Sequence, residues 1–182
     1  MRLLLTLAGV VLLAAACSDA AGPEETSAID ELIVQADPTA LVFDASDPPN
    51  LAGVSTNPAL IESGQCFNEY LFRDQADFVQ QVTSVVGCDG PHDREAYFAV
   101  EYPASEIDAY PLDEELERWA ESVCLDEFEA FVGLEYVLSA LEIGTIVPTF
   151  EAWTDDDDRN VICYLFPDQG GRLLASVADS GI

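Results

Sequence analysis

The 182-residue chain has no lysine and one histidine. Its six basic residues are all arginines, set against 35 Asp and Glu, for a formal net charge of −29. A surface this acidic repels phosphate backbones and anionic headgroups, which excludes nucleic acid as a partner. The scarcity of histidine also narrows the chemistry. Any Ser-His-Asp arrangement must run through His92, and nothing marks a serine as its partner. Gly-x-Ser-x-Gly, a glycine-rich phosphate loop and His-Glu-x-x-His are all missing. No catalytic residue set is expected, and the chain reads as a non-enzyme with no cofactor. Long apolar runs are missing as well, except at the start. Residues 3–16 carry no charge, but they fall short of the ~20 residues a membrane-spanning helix needs.

That short apolar run follows Arg2 and ends in small residues, the layout of an export signal. Cys17 comes next, preceded by Leu13, Ala14, Ala15 and Ala16. The segment resembles a bacterial lipoprotein lipobox, with Ala14 where Leu, Val or Ile is usual. The resemblance implies that residues 1–17 are signal peptide and lipobox, and that Cys17 carries a diacylglycerol thioether. The chain would then be held by lipid on the extracytoplasmic face of the membrane, with two acyl chains giving stable anchoring. Four further cysteines remain, Cys66, Cys88, Cys124 and Cys163. In an oxidising compartment an even set reads as two disulfides, and three connectivities are open.

Residues 18–27 are small, acidic and aperiodic, and read as a tether. From residue 28 to 64 the apolar pieces are short and are broken by Pro38, Pro48, Pro49 and Pro58. An extended arm, partly docked on the domain, is expected there, so residues 18–60 form tether and arm. The compact domain is placed at 61–182. Strands are expected at 67–72, 77–87 and 95–103. The second is ambiguous, with apolar spacing that also fits a helix face, but Val and Thr content and the turn that follows favour a strand. Residues 111–133 form the clearest helix. Leu112, Leu116, Trp119, Ala120, Val123, Cys124 and Phe128 recur at three or four residues, acids occupy the first turn, and Gly133 ends it. Two strands, 160–167 and 172–177, are expected to form a hairpin through Asp-Gln-Gly-Gly. The sum is an α+β fold: a small antiparallel sheet with one long helix packed on it, stapled by disulfides.

Several short stretches stand in a recognisable order. Gly64-Gln65-Cys66-Phe67 is followed by VVGCDGPHDRE at 85–95 and Tyr110-Pro111. Then come a helix with Cys124, FEAFVG at 128–133, PTFEAW at 148–153, Asp158-Arg159 and Cys163. This order resembles the septum formation domain family of actinobacteria over about residues 63–181. Two departures stand out. Gln65 replaces the usual Asp, and the spacer after Trp153 is longer and acidic, with Asp157 where the family has Gly. The resemblance implies an accessory protein of the cell envelope linked to division, with division proteins or wall components as partners. It carries over no catalytic residues. Pro91, His92, Asp93, Trp153, Asp158 and Arg159 are its motif positions and the candidate binding residues.

The Cys88–His92 spacing invites a sharper chemistry. Zinc takes three or four N, S or O ligands, and Cys66, Cys88, His92 and an acid would supply them. A Cys-His nucleophile would need a free, low-pKa thiolate. The compartment favours disulfides instead, with Cys66–Cys88 joining a strand start to the next turn and Cys124–Cys163 stapling the helix to the C-terminal strands. His92 is then a turn residue held by Asp93 or backbone, and no metal is expected. An extracytoplasmic metal-binding protein or metal-dependent hydrolase using Cys88 and His92 is the second reading. Residues 154–160, TDDDDRN, offer hard oxygens but lack the glycine and glutamate that an EF-hand loop needs, so a solvated acidic turn is expected.

Overall fold

A computed structural model describes residues 32–34, 42–44, 51–73, 78–103 and 109–182. The leader, Cys17 and the 18–27 tether lie outside the described residues. Among the described residues, nine strands and two α-helices follow in chain order: β1 Ile33–Val34, β2 Val42–Asp44, β3 Val54–Thr56, β4 Cys66–Arg73, β5 Val79–Val86, β6 Arg94–Glu101, α1 Asp113–Val132, β7 Leu141–Ile146, α2 Phe150–Asp155, β8 Asn160–Pro167 and β9 Arg172–Leu173. The main sheet runs β3-β5-β4-β6-β8-β7, and every neighbouring pair on that path is antiparallel. β2 lies parallel to the end of β4, with Val42 opposite Leu71.

β8 is the spine of the sheet. It pairs with β6 on one side and β7 on the other, and Val161, Ile162, Cys163 and Leu165 are all buried. A strand covered on both edges and packed on its faces reads as a near-continuous apolar run, which is how residues 161–166 read. β5 is indeed a strand. Its Val and Thr residues suit a pleated surface better than a helix.

α1 buries one stripe, Leu116, Ala120, Cys124, Phe128 and Val132, each four residues after the last. Such residues share a face, and this face lies on the sheet at Leu141, Cys163 and Leu165. Asp113, Glu114 and Glu115 fill the first turn, where the helix dipole favours negative charge. At the other end Gly133 adopts φ 83°, a left-handed conformation open to glycine, and its N–H reaches the Glu129 carbonyl. Leu112 departs from the expected face. It precedes the first helical turn and is 77% exposed.

The expected C-terminal hairpin is corrected. Only Arg172 and Leu173 are in a strand, and their partner is β1, with Ile33 opposite Leu173 and Val34 opposite Arg172. Gly170 and Gly171 take φ values of 76° and 109°, which turn the chain away from β8. Leu174 N–H then bonds the Leu32 carbonyl at 2.7 Å. β7 was not expected from the sequence at all. The 28–64 stretch contributes β1, β2 and β3, of which β3 extends the main sheet beside β5.

Candidate functional site

The Pro91-His92-Asp93 turn sits where β4, β6 and β9 meet. His92 N–H donates to the Leu173 carbonyl at 2.9 Å, and Leu173 N–H returns a bond to His92 at 2.8 Å. Asp93 bonds outward from this bridge. Its Oδ1 accepts from Arg172 Nε at 2.9 Å and its Oδ2 from Glu69 N–H at 3.0 Å. Arg172 Nη2 also donates to the Pro91 carbonyl and to Asn68 Oδ1. Asn68 is fully buried, and its Oδ1 accepts a further bond from Asp93 N–H. Charge-assisted bonds of this kind are the stronger ones. The turn is thus a weld between three strands.

His92 itself faces inward. It is fully buried, and its Nδ1 lies 2.7 Å from the Gly90 carbonyl. A carbonyl only accepts, so Nδ1 carries the proton and Nε2 presents a lone pair. The expectation of a turn histidine held by backbone agrees with this. Asp93 binds Arg172 instead.

The second motif forms another weld. The Arg159 side chain is 9% exposed and lies over the Trp153 ring. Its Nη1 donates to the Trp153 and Asp158 carbonyls, both at 2.9 Å, and its Nη2 pairs with Asp157 Oδ1 at 2.9 Å. Asp158 Oδ1 accepts from Asn160 N–H at 2.9 Å, fixing the entry to β8. Trp153 is buried against Tyr102 and Tyr110. Asp157 has φ 57°. That left-handed backbone favours glycine, and Asp is among the few other residues that tolerate it. The acidic run is turned outward: Asp155, Asp156 and Asp157 are exposed.

Both disulfides are formed. Cys66 is joined to Cys88, 22 residues on, and Cys124 to Cys163, 39 residues on. The Cα separations of 5.3 and 5.5 Å are ordinary for the bond. Cys88 therefore has no thiolate to offer a nucleophilic attack or a metal while the bond stands.

A cleft of about 360 Å³ opens beside the start of α1. Tyr110, Asp113, Glu117, Val147, Thr149 and Phe150 line it. Tyr110 and Phe150 meet edge to face, 5.7 Å between centres, and Phe150 is 57% exposed. Burial raises the Tyr110 phenol pKa, and hydrogen bonding of the phenol to the Asp113 carboxylate and the charges of Asp113, Glu117 and Glu151 raise it further. The same carboxylates give the cleft a negative field. Tyr110 stood out in the sequence through the Tyr-Pro pair, and Thr149 and Phe150 through the 148–153 stretch. Asp113 reads there as an ordinary helix-dipole acid, and Glu117 is not singled out. Glu95, buried beside His92, was also missed, although it lies in the expected 95–103 strand, near the core residue Tyr97.

The chain is thus a disulfide-stapled α+β domain whose motif residues are bonded into its frame. The septum formation family matches residues 63–180, and the chain belongs to that family. It is a septum-formation-related, envelope-associated protein. No curated protein and no solved structure matches it. Among the described residues no helix is long and apolar enough to cross a membrane.

Proposed function

We propose that this protein is a lipid-anchored, extracytoplasmic accessory protein of septum formation that works by binding and not by catalysis. The observation that carries the reading is the fate of the motif residues. His92, Asp93, Trp153 and Arg159 are held by backbone groups, by Arg172 and by one another, so they build a frame in place of an open reacting centre. The leader with Cys17 supports a lipid anchor, and two disulfides support an oxidising compartment. The partner is a division protein or wall component, and the cleft at Tyr110 and Phe150 suits a cationic group on it. Aromatic faces and carboxylates both attract a positive charge.

A fluorescent fusion carrying the native leader tests this. It is expected to concentrate at the septum of dividing cells, and Cys17→Ala is expected to release it from the membrane. Glu117→Gln with Phe150→Ala should leave it membrane-bound but spread around the cell. An even distribution of the unaltered fusion, with normal septa after deletion, contradicts the division role.

A further inference from the structure

Two buried groups in the Pro-His-Asp corner lack what their chemistry calls for. His92 Nε2 is buried and finds no hydrogen-bond partner among the described residues. An orphaned buried polar atom is destabilising and asks for an explanation. Glu95 is 2% exposed, and its carboxylate accepts from the Ser176 hydroxyl and the Val177 N–H, which are neutral donors. Among the described residues, Arg94 pairs with Glu69 and Arg172 with Asp93, and no ion pair to Glu95 is seen. Glu95 sits directly opposite Cys66 across the β4–β6 pair. A ligand atom from each of Cys66, His92 and Glu95 lies within 4.8 Å of the other two.

From this convergence we infer that the Cys66–Cys88 disulfide masks a zinc(II) site, which forms when an extracytoplasmic dithiol reductant opens the bond. The dithiol gives two electrons and two protons to the Cys66–Cys88 disulfide and is itself oxidised to a disulfide. The Sγ–Sγ bond breaks, and two thiols result. Zinc then displaces the thiol proton from Cys66 and takes its thiolate, His92 Nε2 and a Glu95 oxygen. Cys88, released by the same reduction, loses its proton to become the fourth donor. Nitrogen, sulfur and oxygen ligands in this number suit zinc.

The outer contacts are already those of a metal ligand set. Nδ1–H on the Gly90 carbonyl fixes the histidine tautomer that offers Nε2, and Ser176 and Val177 orient the carboxylate. The two disulfides also differ in access. Cys124 and Cys163 are fully buried, whereas Cys88 is half-buried, so a mild reductant reaches the Cys66–Cys88 bond first.

The test is zinc binding by the full chain, oxidised and after mild phosphine reduction, read by native mass spectrometry and by chelator competition. The reduced chain is expected to hold one zinc ion and the oxidised chain none. Glu95→Gln, which keeps the shape of the side chain, and His92→Ala should each weaken zinc more than about 100-fold, beyond the effect of losing an outer partner. Cobalt(II) in the reduced chain should give a thiolate-to-metal charge-transfer band, a signature that survives even if one variant misfolds. A reduced chain without zinc, zinc binding undiminished in Glu95→Gln, or cobalt binding without the thiolate band overturns the inference.

Discussion

The Arg159 guanidinium lies 3.7 Å from the centre of the Trp153 ring while its nitrogens hold two backbone carbonyls. Stacking and forked donation together need a planar cation, which lysine is not. Arg159→Lys is therefore expected to destabilise the domain by roughly 2–3 kcal/mol, the range for losing charged hydrogen bonds with a cation–π contact. Urea unfolding reads this directly. A loss below about 0.5 kcal/mol, the scale of an ordinary surface change, would mean that the stack contributes little.

Asp157 offers a backbone test two residues away. Its φ of 57° suits glycine, and its exposed carboxylate pairs with Arg159. An exposed ion pair contributes about 0–1 kcal/mol. Relief of the left-handed backbone offsets that, so Asp157→Gly should change stability by less than about 1 kcal/mol. Asp157→Val, branched and without the pair, should cost about 2 kcal/mol. Equal effects from the two substitutions would contradict the conformational explanation.

The two disulfides should differ in strength. Loops of 22 and 39 residues correspond to roughly 3.4 and 3.9 kcal/mol in the chain-entropy account. Cys124 and Cys163 also sit inside the main core, beside Phe128 and Leu165. Replacing that pair by alanine is expected to cost more than replacing Cys66 and Cys88. Denaturant midpoints of the two double variants check the order, and a reversed order would place the critical staple at the Pro-His-Asp corner.

Stability should fall at alkaline pH. The Tyr97 hydroxyl donates to the Cys124 carbonyl, and its pKa is raised by burial and by the charges of Glu127 and Tyr136. Tyr136 is pushed up to about 12, chiefly by its hydrogen bond to Glu142. An unfolded phenol titrates near pH ~10. Below that pH both states keep the proton and the stabilisation is complete. Between about pH 10 and 12 the unfolded chain releases protons that the folded one retains, so stability declines as pH rises. Urea midpoints measured from pH 8 to 11.5 should drop above pH ~10, less steeply in Tyr136→Phe. A flat profile over that range counts against these two bonds.

What the sequence revealed was governed by local pattern. The helix was readable because five residues of its buried face, Leu116 to Val132, fall four apart. β8 was readable from an apolar run closed by Pro167. β7 escaped because Gly144 interrupts its six residues, and glycine weakens a strand signal. The fold supplies the reason for that glycine: it lies opposite Tyr164, whose ring occupies the space a Cβ would need. The 172–177 hairpin failed for a different cause. The turn was plausible, but β9 found a partner more than a hundred residues earlier, in β1. Partner choice at such distance is a tertiary matter that no local pattern encodes.

The candidate site was legible only in part. That the four cysteines pair was legible from compartment and number, but three connectivities stayed open, and the fold selects Cys66–Cys88 and Cys124–Cys163. Glu95 was not legible, because one acid among 35 carries no distinguishing mark until the β4–β6 register sets it against Cys66. The role of Arg172 in holding Asp93 was hidden for the same reason, since 79 residues separate them.

The measurement closest to the central claim is the intact mass of the mature chain extracted from membranes. The account predicts a chain starting at Cys17, heavier by a diacylglyceryl group, and lighter by four hydrogens for the two disulfides. An unmodified Cys17, or free thiols at Cys124 and Cys163, would contradict a lipid-anchored, disulfide-stapled protein of the envelope.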